Sequence, residues 1–191
     1  MQQSDLAGFP RDEAVHRLFF ALWPDDALRQ GIADAAARLE CQHAPGGRRL
    51  HSERYHLTLQ FLGDFQPLRP SVVDAAQAAA DALRLPAFEL VLDHAGSFAG
   101  SRVWWLGTCG IPPGLRALRD RLGMALAKAG VQVKSPPAFA PHLTIQRDVR
   151  KQIAPVPIEP RHWSVRSFVL IDSQPGRRYE VLREWPLARA E

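Results

Sequence analysis

The sequence predicts an α+β fold of two pseudo-symmetric lobes, with mainly antiparallel sheets flanked by helices and a cleft between the lobes. Three observations carry this. Apolar residues alternate in several short runs and recur at three- and four-residue spacings between them, so strands and helices interleave. The pattern His-Leu-Thr-aliphatic-Gln occurs at residues 56–60 and again at 142–146. Two separate features repeat at nearly one offset: RLFFALW begins at Arg17 and RVWWLGT at Arg102, 85 residues apart, while His56 and His142 lie 86 apart. That offset is too long for a solenoid repeat and reads as an internal duplication, with residues 1–191 forming one bilobal domain.

The first strand is expected at HRLFFALW, stopped by Pro24, with Asp25 or Asp26 placed to cap the helix that follows. In that helix Leu28, Ile32, Ala35 and Leu39 form one apolar stripe. After a basic turn, GGRRLHSER, comes the strand YHLTLQFLG, and then a second helix with Val72, Ala76, Ala79 and Leu83 on one side, closed by Pro86. The second half opens with the strand FELVLDHAGSF and its neighbour RVWWLGT, where one of Trp104 and Trp105 packs inward and the other faces outward. GIPPG turns into a helix carrying Leu115, Leu118, Leu122 and Leu126, which Gly130 ends in a left-handed cap. PHLTIQR follows, then a proline-rich connection, APVPIEP, and two closing strands, SVRSFVLID and RRYEVLREW.

With 191 residues and 46% hydrophobic content the chain can bury a substantial core. Its apolar runs fall far short of the ~20 residues that span a bilayer, and the polar start MQQSDLAGFPRDEAV lacks an export sequence, so no membrane association and a cytoplasmic location are expected. Cys41 and Cys109 have neither metal-site nor disulfide-framework spacing and read as reduced, structural thiols. A net charge of +4, nearly all of the basic residues being arginine, permits an anionic partner. The chain has no Walker loop, GxGxxG, HExxH or GxSxG, which removes the commonest nucleotide-binding, zinc-protease and serine-hydrolase readings.

On a strand, His56 and Thr58 point to one face while Leu57 and Leu59 point to the other, and His142 and Thr144 oppose Leu143 and Ile145 in the same way. Each motif thus offers an imidazole and a hydroxyl to one surface and anchors the other in a core. Imidazole titrates near pH ~6.5, so one neutral and one protonated ring act as general base and general acid together. This suits metal-free phosphodiester cleavage with a bell-shaped rate around neutrality, the threonines donating to phosphate oxygens and Arg147 adding a fixed positive charge. Neither motif supplies a carboxylate or thiolate to complete a four-ligand zinc site, so neither metal nor cofactor is expected. The alternative from another class is a non-catalytic module that binds RNA ends or a cyclic nucleotide.

On these residues the sequence resembles the 2H phosphoesterase superfamily, named for two His-x-Thr/Ser-x motifs, and within it the RNA 2',3'-cyclic phosphodiesterases first described as 2'-5' RNA ligases. The resemblance runs through RLFFALWP, HLTLQFLGD, FELVLDHAGSF with RVWWLGT, HLTIQR, VLIDSQ and YEVLREWPL. It implies a bilobal α+β fold with one motif on each side of a central cleft. It implies His56 as proton donor to the leaving 3'-oxygen and His142 as proton acceptor from water. Thr58 and Thr144 match the family's phosphate-binding threonines, and Arg147 matches an arginine that commonly follows the second motif. The implied partner is RNA or an oligonucleotide with a 2',3'-cyclic phosphate end, opened to a 2'-phosphomonoester by a monomer, with reversible 2'-5' RNA ligation as a second reaction.

Overall fold

The computed structural model describes residues 14–134 and 138–188. The first 13 residues, which carry most of the polar opening run, lie outside the described residues. The chain forms β1 (His16–Leu22), α1 (Asp26–His43), β2 (Arg48–Arg49), β3 (Leu57–Phe65), α2 (Pro70–Asp81), β4 (Phe88–Ser97), β5 (Val103–Gly107), α3 (Pro113–Lys128), β6 (His142–Arg147), β7 (Val156–Val165), β8 (Ser167–Ser173) and β9 (Glu180–Pro186). A single 3-10 turn, Ser52–Arg54, precedes β3.

The strands pair antiparallel in the order β7-β4-β5-β6-β3-β1-β8-β9, with β2 added on β6. The α+β class and antiparallel pairing are as the sequence predicts, but the two four-strand groups form one open sheet. They join at one registered pair, Leu57 opposite Leu143, where the two histidine strands meet. In each half a strand, a helix and a histidine strand follow one another, β1-α1-β3 and β5-α3-β6, and the two strands of each unit are neighbours in the sheet.

The helices form where their apolar stripes demand. Asp25 caps α1 by accepting the Leu28 N–H at 2.8 Å, and Ile32, Ala35 and Leu39 are buried. All four leucines of α3 are fully buried. Gly130 takes a positive φ of 73° just past α3, the left-handed position expected of it. The helix α1 packs on β6 and β7, α3 on β3 and β4, and α2 on α3 and β9. Leu57, Leu59, Leu143 and Ile145 join the main core, while a smaller cluster of Phe19, Ala21, Val169 and Ile171 occupies the opposite face of β1 and β8.

Three expectations are corrected. The proline-rich run is not a connection: Pro157 and Pro160 belong to β7. That strand pairs only with β4, and an edge strand tolerates residues that cannot donate to a second neighbour. The basic turn contains β2, paired to β6 through Arg48–Arg147 and Arg49–Gln146. The two thiols are not core residues: Cys41 and Cys109 are free and exposed.

The repeated glutamine has a structural explanation. Across from β1, Thr58 and Gln60 are in register but Leu59 is an extra residue; across from β5, Ile145 is the extra residue between Thr144 and Gln146. This bulge turns two successive side chains inward. Gln60 and Gln146 are buried at 4% and 2% exposure, and donate to the carbonyls of Arg119 (2.9 Å) and Gly46 (3.0 Å). Gln146→Leu takes the donor from the Gly46 carbonyl and is expected to cost about 1–3 kcal/mol, read as a lower urea midpoint at constant m value.

Candidate active site

His56 lies one residue before β3 and His142 opens β6, so the Leu57–Leu143 pair holds both motifs at the centre of the sheet. The two strands run antiparallel there, so each histidine lies toward the other motif's threonine. The leucines are fully buried, whereas His56, Thr58, His142 and Thr144 are half-buried on the other face, and Arg147 at the end of β6 is exposed. The structure brings all five residues to the junction of the two halves.

Both rings are oriented alike. Nδ1 of His56 lies 2.8 Å from the Arg54 carbonyl, and Nδ1 of His142 lies 2.8 Å from the Ala140 carbonyl. A carbonyl only accepts, so each Nδ1 carries the proton and, in the neutral ring, Nε2 keeps its lone pair. His56 sits beside Phe19, at 5.0 Å between ring centroids, and meets Tyr179 edge-on at 5.4 Å. His142 meets Phe98 edge-on at 4.8 Å, and Phe98 in turn stacks on Trp105 at 5.3 Å. Trp104 is the fully buried inward ring and Trp105 the outward one, in register with Thr144. Trp105 fits only because Gly96 lacks a Cβ, which would lie 2.6 Å from the indole.

These apolar neighbours set the proton affinities. Burial pushes the His56 imidazole from 6.5 down to about 4; the Arg54 carbonyl opposes this, while the charges of Arg147, His142 and Arg29 push the same way as burial. His142 is also lowered by burial, opposed by the Ala140 carbonyl and reinforced by Arg147. Arg147 thus acts electrostatically on both rings.

The loops are held from outside the motifs. Arg29, buried on α1, stacks on Trp23 at 4.4 Å and donates to the Ser52 carbonyl. That bond pins the 3-10 turn whose Arg54 carbonyl orients His56. Gly46 and Gly47, at φ of 66° and 85°, turn the chain into β2, and a Cβ on Gly47 would lie 2.5 Å from the Arg147 carbonyl. Sequence reasoning missed Arg29, Tyr179 and the glutamines. Only the glutamines carried a signal, by recurring in both motifs. Among the described residues no three His, Cys, Asp or Glu side chains form a metal-ligand set, and no helix is long and apolar enough to cross a membrane.

Residues 24–177 match the family model described as the 2'-5' RNA ligase superfamily. The chain is 34% identical over 180 residues to an RNA 2',3'-cyclic phosphodiesterase of Escherichia coli K12, covering 91% of this chain and 97% of that one. A second protein of that name, from Geobacillus stearothermophilus, is 31% identical over 153 residues, covering 74% of this chain and 48% of its own length. The crystal structure of E. coli LigT complexed with 3'-AMP superposes with a TM-score of 0.74 at 32% identity, covering 92% of this chain and 99% of that one. Sequence and fold agree over nearly the whole length, and the chain belongs to the 2'-5' RNA ligase superfamily.

Proposed function

We propose that this protein opens a terminal 2',3'-cyclic phosphate on RNA to a 2'-phosphomonoester by a metal-independent, two-histidine mechanism. The observation that carries this reading is the pair of half-buried imidazoles at the sheet junction, each with Nδ1 bonded to a backbone carbonyl and Nε2 left to work. It is supported by the E. coli and Geobacillus relatives, which are named RNA 2',3'-cyclic phosphodiesterases.

In the proposed reaction His142 Nε2 takes a proton from water as its oxygen attacks phosphorus. The bond from phosphorus to the 3'-oxygen breaks, and protonated His56 gives its Nε2 proton to that oxygen. The product is a 2'-phosphate with a free 3'-hydroxyl; the proton gained by His142 and the one lost by His56 balance. Thr58 and Thr144 donate to the non-bridging oxygens, and Arg147 neutralises their charge. Run in the same direction with an RNA 5'-hydroxyl in place of water, and with the acid and base roles unchanged, the same groups join a 2',5' linkage; run backwards, with the roles exchanged, they cleave it to the cyclic phosphate. In this reading residues 1–191 form one duplicated domain, acting in the cytoplasm as a monomer.

An oligoribonucleotide ending in a 2',3'-cyclic phosphate, incubated with the protein in EDTA, is expected to yield a 2'-phosphate only. A 3'-phosphate product would overturn the assigned bond cleavage. An intact cyclic end on an RNA that nevertheless binds would favour the non-catalytic binding module instead.

A further inference from the structure

Beside the histidines lies a pocket of about 300 Å³ whose lining includes Arg17, Arg48, His51, Arg54, Arg147 and Tyr179 and, among the described residues, no acidic one. It is contiguous with the catalytic groups, because Tyr179 touches the His56 ring and Arg147 follows the second motif on β6. Other arginines around it are neutralised: Arg17 by Asp64 at 3.0 Å, Arg49 by Glu40 at 3.6 Å and Arg178 by Glu53 at 3.6 Å. Arg48, Arg54 and Arg147 form no ion pair among the described residues. Arg48 stands directly opposite Arg147 in the β2–β6 ladder, a like-charge arrangement that is unfavourable unless an anion lies near it. The Arg54 guanidinium is fixed by the Arg177 carbonyl at 3.1 Å and by the Tyr179 ring at 4.6 Å, so it is presented to the pocket without being neutralised.

The pocket has room for more than one phosphate. It shares His51, Arg54, Gly176 and Tyr179 with a second hollow of about 380 Å³ that adds Trp23, Arg177, Arg178 and Glu53, the last paired with Arg178. Aromatic rings interleaved with arginines suit a single strand of nucleic acid. A cyclic 3' end leaves an RNA strand only one direction in which to continue, toward its 5' side.

We propose that Arg48 and Arg54 hold the phosphate on the 5' side of the terminal nucleoside, making the site one for an RNA strand rather than for a mononucleotide. This rests on the reaction proposed above, but its test is independent of turnover. The probes are a mononucleoside 2'-phosphate, the same with a 5'-phosphate, and a dinucleotide ending in a 2'-phosphate, titrated calorimetrically into the wild type and Arg48→Gln. The 5'-phosphorylated and dinucleotide probes are expected to bind roughly tenfold more tightly than the first. Arg48→Gln is expected to remove that advantage and to reduce the salt slope by about 1.

Equal binding of all three probes by the wild type would overturn the subsite. So would a gain seen only with the second nucleoside, which would mean that its base and sugar are recognised and not the phosphate. Equal weakening of all three by Arg48→Gln would place Arg48 at the terminal phosphate instead. Arg48 is exposed on a two-residue strand, and an unchanged thermal midpoint separates these outcomes from misfolding. Arg54→Gln, tested with the same three probes, provides a second variant. Failure of the cyclic end to react would count against the reaction and leave these binding results standing.

Discussion

Alanine at His142 or at His56 is expected to lower kcat/KM on a cyclic-ended RNA by about 10² to 10⁴-fold, the usual contribution of a general base or acid. The double variant should fall little further, because both groups serve one transition state. Each substitution also removes the bond to a backbone carbonyl, worth about 1 kcal/mol, so thermal midpoints should drop only slightly. Loss of rate alone does not separate donor from acceptor, since the two rings are held alike. A substrate with sulfur in place of the leaving 3'-oxygen does. A thiol has a pKa near ~8.5, and its anion departs with little need of a proton. Sulfur substitution should therefore restore much of the rate of His56→Ala and little of that of His142→Ala. Rescue of His142→Ala instead would exchange the two roles.

Much of this arrangement is legible in the sequence because it is periodic. Alternation placed Leu57, Leu59, Leu143 and Ile145 in the core and left the histidines and threonines on the other face, and the structure keeps that division. The helical stripes of α1 and α3 are likewise where their spacing puts them. What was illegible is non-local. Pro157 and Pro160 argue against a strand until β7 is known to lie at a sheet edge, and edge position is a property of the whole topology. The bulges at Leu59 and Ile145 exist only as mismatches with β1 and β5, so the inward turn of the glutamines has no signature within the motif itself. Tyr179 reaches His56 from the β8–β9 turn, and Arg29 reaches the 3-10 turn from α1; each has an ordinary local context and a distant partner.

The pH dependence of kcat/KM is expected to part from that of kcat. Free imidazole predicts a bell around neutrality, but burial pushes His56 to about 4 and His142 below its usual 6.5. In the free protein near pH 7 His56, the proposed acid, is therefore mostly in its neutral form, which has no proton to give at Nε2. Above both values the competent population, and with it kcat/KM, should fall by roughly tenfold per pH unit. A bound cyclic phosphate brings a negative charge among these groups, which raises the pKa of a neighbouring imidazole. Hence kcat, which reports the complex, should keep its alkaline limb at a higher pH than kcat/KM. Superimposable profiles centred on neutrality would refute substrate-assisted protonation. The same shift acts on stability with a definite sign. A folded-state pKa of about 4 against 6.5 unfolded means that the folded protein binds fewer protons, so this contribution is complete above pH 6.5 and is lost as the pH falls toward 4. It amounts to about 3 kcal/mol. His56→Gln, which cannot titrate, should lose that much less stability than the wild type between pH 7 and pH 4, as denaturant midpoints at the two values will show; equal losses would mean that His56 stays solvated and that its burial does not set its charge.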